Sequence, residues 1–97
     1  MSKSFLVCCA NGAGSSMMMK MALQKVLAEN NINSTKIHHC PLSEAKSIAS
    51  QFDVIFCSQN FVRFFVEEEK KGKLVIGLRN ILSQSEIKEK LIEHKFI

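Results

Sequence analysis

The sequence predicts a three-layer α/β fold, a four-stranded parallel sheet with helices on both faces. Three observations predict it. Short apolar runs alternate with longer segments of helical periodicity through the whole chain. The strongest runs lack the apolar/polar alternation of a half-exposed strand, as expected for strands covered on both sides. Successive strands separated by helices are joined by right-handed crossovers, which make the sheet parallel. The chain has 97 residues, one domain's length and enough for a core without disulfides or metal. With no repeat, linker or low-complexity tract, it reads as one domain over residues 1–97.

Each element has its own signal. Ser4 to Cys9 is a continuous apolar run ending at Asn11-Gly12, and reads as a buried strand. Ser15 to Glu29 carries Met18, Met19, Ala22, Leu23, Val26 and Leu27 at helical spacing, opposite Lys20, Gln24 and Lys25, and stops at Asn30-Asn31. Ser34 to His39 is a weaker strand. Pro41 and Ser43-Glu44 open a second helix that Ser43 caps, with Ala45, Ile48, Ala49 and Phe52 inward. Asp53 to Cys57 is a strongly buried strand. Phe61 to Lys71 predicts a third helix with Glu67 pairing Lys70 or Lys71, stopped by Gly72. Lys73 to Gly77 is the fourth strand. Ser83-Gln84-Ser85-Glu86 fits a capping box, and Ile87, Leu91 and Ile92 give the last helix its inward face.

Composition narrows the function. Apolar stretches reach only about six residues against the roughly 20 that span a bilayer. With no secretory signal at the N-terminus, a cytoplasmic location is expected. The acids are eight Glu and the single Asp53, against 11 Lys and two Arg, for a net charge of +4. That excludes paired-Asp metal sites. The lysines form no dense basic run, so anions and acidic partners fit better than nucleic acid. In a reducing compartment Cys8, Cys9, Cys40 and Cys57 are expected as thiols. His38-His39-Cys40 is the only dense metal-ligand candidate, and its neighbours point to opposite faces of a strand, so neither metal nor other cofactor is expected.

In parallel sheets the ligand site lies outside the carboxyl ends of the strands, at a switch point. Four loops qualify: Cys9 to Ser16, His39 to Ser43, Ser58 to Asn60, and Gly77 to Ser83. The first is the most informative. Cys9-Ala10-Asn11-Gly12-Ala13-Gly14-Ser15-Ser16 leaves a buried strand and enters a helix. Its glycines allow successive amides to turn inward as an anion nest, with the helix N-terminus behind them. The same field stabilises a thiolate at Cys9 and makes it nucleophilic near neutral pH. The plainer alternative is a small buried Cys9 before a tight glycine turn. Cys8, adjacent on the strand, faces the other way and reads as core, as do Cys40 and Cys57.

The loop is neither a Walker A motif nor a dinucleotide fingerprint. A low-molecular-weight cysteine phosphatase or arsenate-reductase-like enzyme is a closer rival, but its C-x5-R loop needs an arginine where this chain has Ser15. The other site loops also hold no Asp to act as general acid. A regulatory module that binds phosphate without covalent chemistry is the non-enzymatic rival.

With Val7-Cys8-Cys9-Ala10-Asn11-Gly12-Ala13-Gly14-Ser15-Ser16-Met17, and with Val75-Ile76-Gly77-Leu78-Arg79-Asn80-Ile81-Leu82-Ser83 near the end, the chain resembles the enzyme IIB components of the bacterial phosphoenolpyruvate-dependent sugar phosphotransferase system. The resemblance spans essentially the whole chain and points to the ascorbate-type branch. Mannitol- and galactitol-type IIB domains are near relatives, and the mannitol type shares the C-x-x-G-x-G-S-S spacing. Cys8 and Ala10 depart from the usual pattern. The resemblance implies a phosphotransferase in which Cys9 accepts a phosphoryl group from a phosphohistidine of a IIA protein and passes it to a sugar, L-ascorbate, bound by the membrane IIC component. It also implies that residues 10–16 hold the phosphoryl oxygens. A monomer is expected.

Several further residues carry weaker expectations. Arg79 contacts phosphate or an acidic partner, or is simply solvated. Asn80 holds its loop, Gln59-Asn60 cap the helix starting at Phe61, and His38 and His39 are ordinary strand-end histidines. The methionines at 17, 18, 19 and 21 are mostly core, with Met17 and Met18 near enough to the loop to form a docking rim.

Overall fold

The structure is a computed structural model that describes residues 3–9, 12–32, 34–80 and 83–94, with residues 9, 12–16, 34 and 35 described by their backbone. The strands are β1 (Lys3–Cys9), β2 (Ser34–Pro41), β3 (Val54–Ser58) and β4 (Leu74–Leu78), and the helices α1 (Gly12–Glu29), α2 (Leu42–Ile48), α3 (Val66–Lys70) and α4 (Gln84–Glu93). The strands form one parallel sheet in the order β2-β1-β3-β4. The expected three-layer α/β architecture is what forms.

Alternation along the inner strands divides the core in two. Phe5 and Val7, Val54 and Phe56, and Ile76 and Leu78 pack under α1 and α4 against Met19, Leu23, Val26, Ile87 and Leu91. Leu6 and Cys8, Ile55 and Cys57, and Val75 face the opposite layer, against Cys40, Ala45, Ala49, Phe52 and Phe65. Each large side chain fully withdrawn from water here contributes about 1.5–3 kcal/mol before entropy is counted. Cys8, Cys40 and Cys57 are buried thiols, as their strand positions predict.

Several local readings need correction. α1 begins at Gly12, so Gly12 and Gly14 lie in the first turn of the helix and not in an open loop. Ser43 does not cap α2, because the helix starts at Leu42 with Pro41 in the cap position and no side-chain cap bond. Proline's fixed φ suits that boundary. The segment expected as one helix from Phe61 is a 3-10 helix over Gln59–Phe65 followed by α3. With three residues per turn, Phe61 stands over Phe64, their ring centroids 5.9 Å apart, and Val62 and Phe65 turn together towards the sheet. Its cap is the Ser58 hydroxyl, which accepts from the Asn60 amide at 3.4 Å, and not Gln59-Asn60. Glu67 forms no ion pair among the described residues, and Ile92 is exposed.

Other expectations hold. Asn31 ends α1 in the left-handed region at φ 57° and Gly72 ends α3 at φ 92°. Ser83 caps α4 by accepting from the Glu86 amide at 3.2 Å.

Candidate functional site

The order β2-β1-β3-β4 puts the topological switch at β1, where the chain next builds β2 on one side and later β3 on the other. Cys9 is the last residue of β1 and stands in register with Pro41, the last residue of β2. Its backbone therefore lies at the carboxyl end of an inner strand, where parallel sheets bind ligands. Three residues further on, Gly12 opens an 18-residue helix.

The start of that helix differs electrostatically from the others. No acidic residue occupies the first turn of α1, whereas Glu44, Glu67 to Glu69 and Glu86 occupy those of α2, α3 and α4. Elsewhere a carboxylate offsets the partial positive charge of the helix start; at α1 no residue of the first turn supplies one, and a helix start of this kind attracts anions. The backbone of Gly12, Ala13, Gly14, Ser15 and Ser16 forms this start. Ala10 and Asn11 lie outside the described residues.

Among the described residues, two other loops at this end of the sheet are held by local bonds. Ser58 caps the 3-10 helix, as above. After β4, Glu86 accepts from the Arg79 amide through Oε2 and from the Asn80 amide through Oε1, both at 2.8 Å. In a capping box that carboxylate would take the Ser83 amide, which instead donates to the Asn80 carbonyl at 3.1 Å. Partial burial opposes ionisation of Glu86, but the two amides outweigh it and hold the carboxyl below its ordinary value.

Along α1, Met19 is buried while Met17, Met18 and Met21 are 52%, 55% and 61% exposed. The expectation of a mostly buried methionine cluster is thus overturned. These positions flank the stripe set by Met19, Ala22, Leu23 and Val26, which is the one that meets the sheet and α4. Met18 and Met21, with Ala22, Lys25 and Gln84, line a hollow of about 300 Å³. Sequence reasoning missed Gln84's part in it, because the pairing of α1 with α4 leaves no mark on either segment.

The phosphotransferase-system IIB family model of the lactose/cellobiose-specific subunit matches residues 5–93. The chain belongs to this IIB family. The ascorbate-specific EIIB component of Escherichia coli O157:H7 is 37% identical to the chain over 93 residues, covering 96% of the chain and 89% of that protein. Its counterpart from Salmonella choleraesuis is 38% identical over 94 residues, with the same coverage. The fold of this IIB chain matches the lactose-specific IIB domain of Streptococcus pneumoniae with a TM-score of 0.72 at 19% identity, covering 97% of this chain and 98% of that one. It also matches the cellobiose-specific IIB protein of Borrelia burgdorferi at 0.61 and 22%, covering 96% and 87%. IIB components are phosphotransferases that work with IIA and IIC partners.

In this IIB chain neither arginine follows Cys9 in the C-x5-R spacing that a cysteine phosphatase requires, and each has other described neighbours. Arg63 lies 5.6 Å from the centroid of the Phe64 ring, and Arg79 lines a hollow with Glu86, Glu89, Lys90, Ile92 and Glu93. Asp53 is at the wrong end of the sheet. Its Oδ2 accepts from the Ser4 amide at 2.9 Å and the Ser4 hydroxyl at 3.0 Å, and Cys9 lies five residues further along β1, about 16 Å at strand rise. His38 and His39 lie within β2, short of its end, and the His38 ring stacks on Phe52 at 6.0 Å. Among the described residues no group of three metal-ligating side chains converges, and no helix is long and apolar enough to cross a membrane.

Proposed function

We propose that this IIB chain is a cytoplasmic, monomeric phosphocarrier in which Cys9 carries the phosphoryl group. The observation that supports this most is the acid-free N-terminus of an 18-residue helix three residues beyond Cys9. That field favours the thiolate and the phosphoryl oxygens alike. The Cys9 sulfur attacks the phosphorus of a phosphohistidine on the IIA protein. An S–P bond forms as the P–N bond breaks, and the electron pair returns to the imidazole, which takes up a proton. In the second step a sugar hydroxyl held by IIC attacks the same phosphorus, loses its proton, and leaves Cys9 as thiolate. The amides of residues 10–16 and the hydroxyls of Ser15 and Ser16 hold the phosphoryl oxygens during both transfers. With no arginine gripping them, the group remains transferable and water is not helped to take it.

The sugar is L-ascorbate, the specificity named for relatives 37–38% identical over most of the chain. Exposed Met17 and Met18, one to two turns into α1, form the adaptable rim on which IIA and IIC dock in succession.

Incubation with the phosphorylated IIA protein and intact mass measurement tests the carrier. One phosphoryl group should add to the wild type and to Cys8→Ser, and none to Cys9→Ser. Addition to the Cys9 variant would overturn the assignment. With IIC-containing membrane vesicles, phosphorylation of L-ascorbate supports the ascorbate branch, and phosphorylation of lactose or cellobiose instead replaces it.

A further inference from the structure

We infer that Glu86 is a positioning residue for recognition of the phosphoryl donor, acting through the turn that follows β4. The inference rests on the carrier reading above. Glu86 departs from the capping box its sequence predicts. Both carboxylate oxygens reach back six and seven residues to the Asn80 and Arg79 amides at 2.8 Å, and the Ser83 amide is satisfied by the Asn80 carbonyl. Capping α4 already falls to the Ser83 hydroxyl. The carboxylate is therefore used to fix where the chain leaves β4, and two charge-assisted bonds to neighbouring amides fix both the position and the tilt of that turn.

What the turn delivers is the start of α4. Gln84, its first residue, closes the wall of the hollow whose other side is Met18, Met21, Ala22 and Lys25. Met18 and Met21 expose more than half their surface on the same helix that starts beside Cys9. Met18 stands six residues into α1, about 9 Å from its start at helical rise. A donor reaching the carboxyl end of β1 thus has the near edge of this apolar, lysine-edged surface within reach, and the far wall stands where Glu86 holds it. Arg79 itself lies among Glu86, Glu89 and Glu93, so the clamp acts through the backbone and not by presenting the guanidinium.

Steady-state phosphoryl transfer from the phosphorylated IIA protein of the same system to the sugar, with saturating IIC-containing membrane vesicles to discharge Cys9, measured for wild type, Glu86→Gln and Glu86→Ala, tests the inference. Gln keeps one acceptor oxygen and so one amide bond. Its KM for the donor should rise about tenfold with kcat unchanged, and that of the Ala variant should rise further. Amide exchange at Arg79 and Asn80 should quicken in the same order. A lowered melting temperature with KM unchanged would reduce Glu86 to a structural residue and overturn the inference, as would a loss confined to kcat. If the Ala variant does not fold, the Gln variant alone decides between these outcomes. Failure of the wild type to take up a phosphoryl group would instead remove the carrier reading, and this inference with it.

Discussion

On α3, Glu68 is 6% exposed, and among the described residues its Oε1 accepts no hydrogen bond, with the Lys46 ammonium 4.0 Å away on α2. An ion that is buried, weakly paired and short of hydrogen bonds is usually a net burden on the folded state. Glu68→Leu should therefore stabilise the chain by about 1–3 kcal/mol, read as a higher urea midpoint at unchanged slope; a lower midpoint would mean that the pair is favourable. The run Glu67-Glu68-Glu69-Lys70-Lys71 holds no apolar residue to mark an inward face. Which of three consecutive glutamates turns inward depends on the phase of α3, and that phase is handed on by the 3-10 helix before it. Cys8 was legible, since strand alternation alone separates it from Cys9. The methionines were not, because Met suits any face of a helix and only the packing of α1 against the sheet and α4 selects Met19.

At the scale of elements, Gly77 decides how the 3-10 helix seats on β4. A Cβ there would lie 2.5 Å from Val62 Cγ2 and 2.8 Å from the Gln59 Cα, closer than a side-chain shift alone can relieve. Gly77→Ala should cost about 1–3 kcal/mol, the usual range for overpacking, and displace the Ser58 cap at the candidate site. Thermal melts give the first effect, and the amide shift of Asn60 reports the second. A variant as stable as wild type, with Asn60 unmoved, would contradict this account. All four strands and the ends of α1 and α3 were legible because they rest on local chemistry: apolar runs, Asn31 and Gly72. The 3-10 helix was missed because aromatic and β-branched residues at 61–66 fit a helical pattern of either pitch, and contact with the sheet makes the choice.

At the scale of the whole molecule, two carboxylates among the described residues are held below their ordinary values and contribute to the acid limit of folding. The Ser4 amide holds Asp53 below its ordinary 3.8 against partial burial, with the Ser4 hydroxyl, Lys3 and Lys73 assisting. Glu86 is held below 4.5 by its two amides. A carboxyl that titrates lower when folded stabilises fully above its unfolded value and loses that contribution as pH falls through the folded one. The melting temperature should thus be flat near neutrality and drop below about pH 4.5. Asp53→Asn should start lower and fall less steeply, and parallel curves for the two proteins would exclude Asp53 from the acid limb. The layer order and the switch beside β1 were legible from the alternation of elements, whereas the ties between distant segments, Ser4 with Asp53 and Glu86 with the turn after β4, were not. A hydrogen bond across 49 residues leaves no periodicity to read.

The Ser4–Asp53 tie also gives the molecule a working end and a holding end. Lys3 enters β1 beside that tie, six residues before Cys9, about 20 Å away at strand rise. A tag, a fused domain or a surface anchor joined ahead of Lys3 is thus attached at the end of β1 away from Cys9, the proposed carrier. A chain immobilised that way keeps the carboxyl end of β1 and the start of α1, the proposed carrier site, turned away from the support.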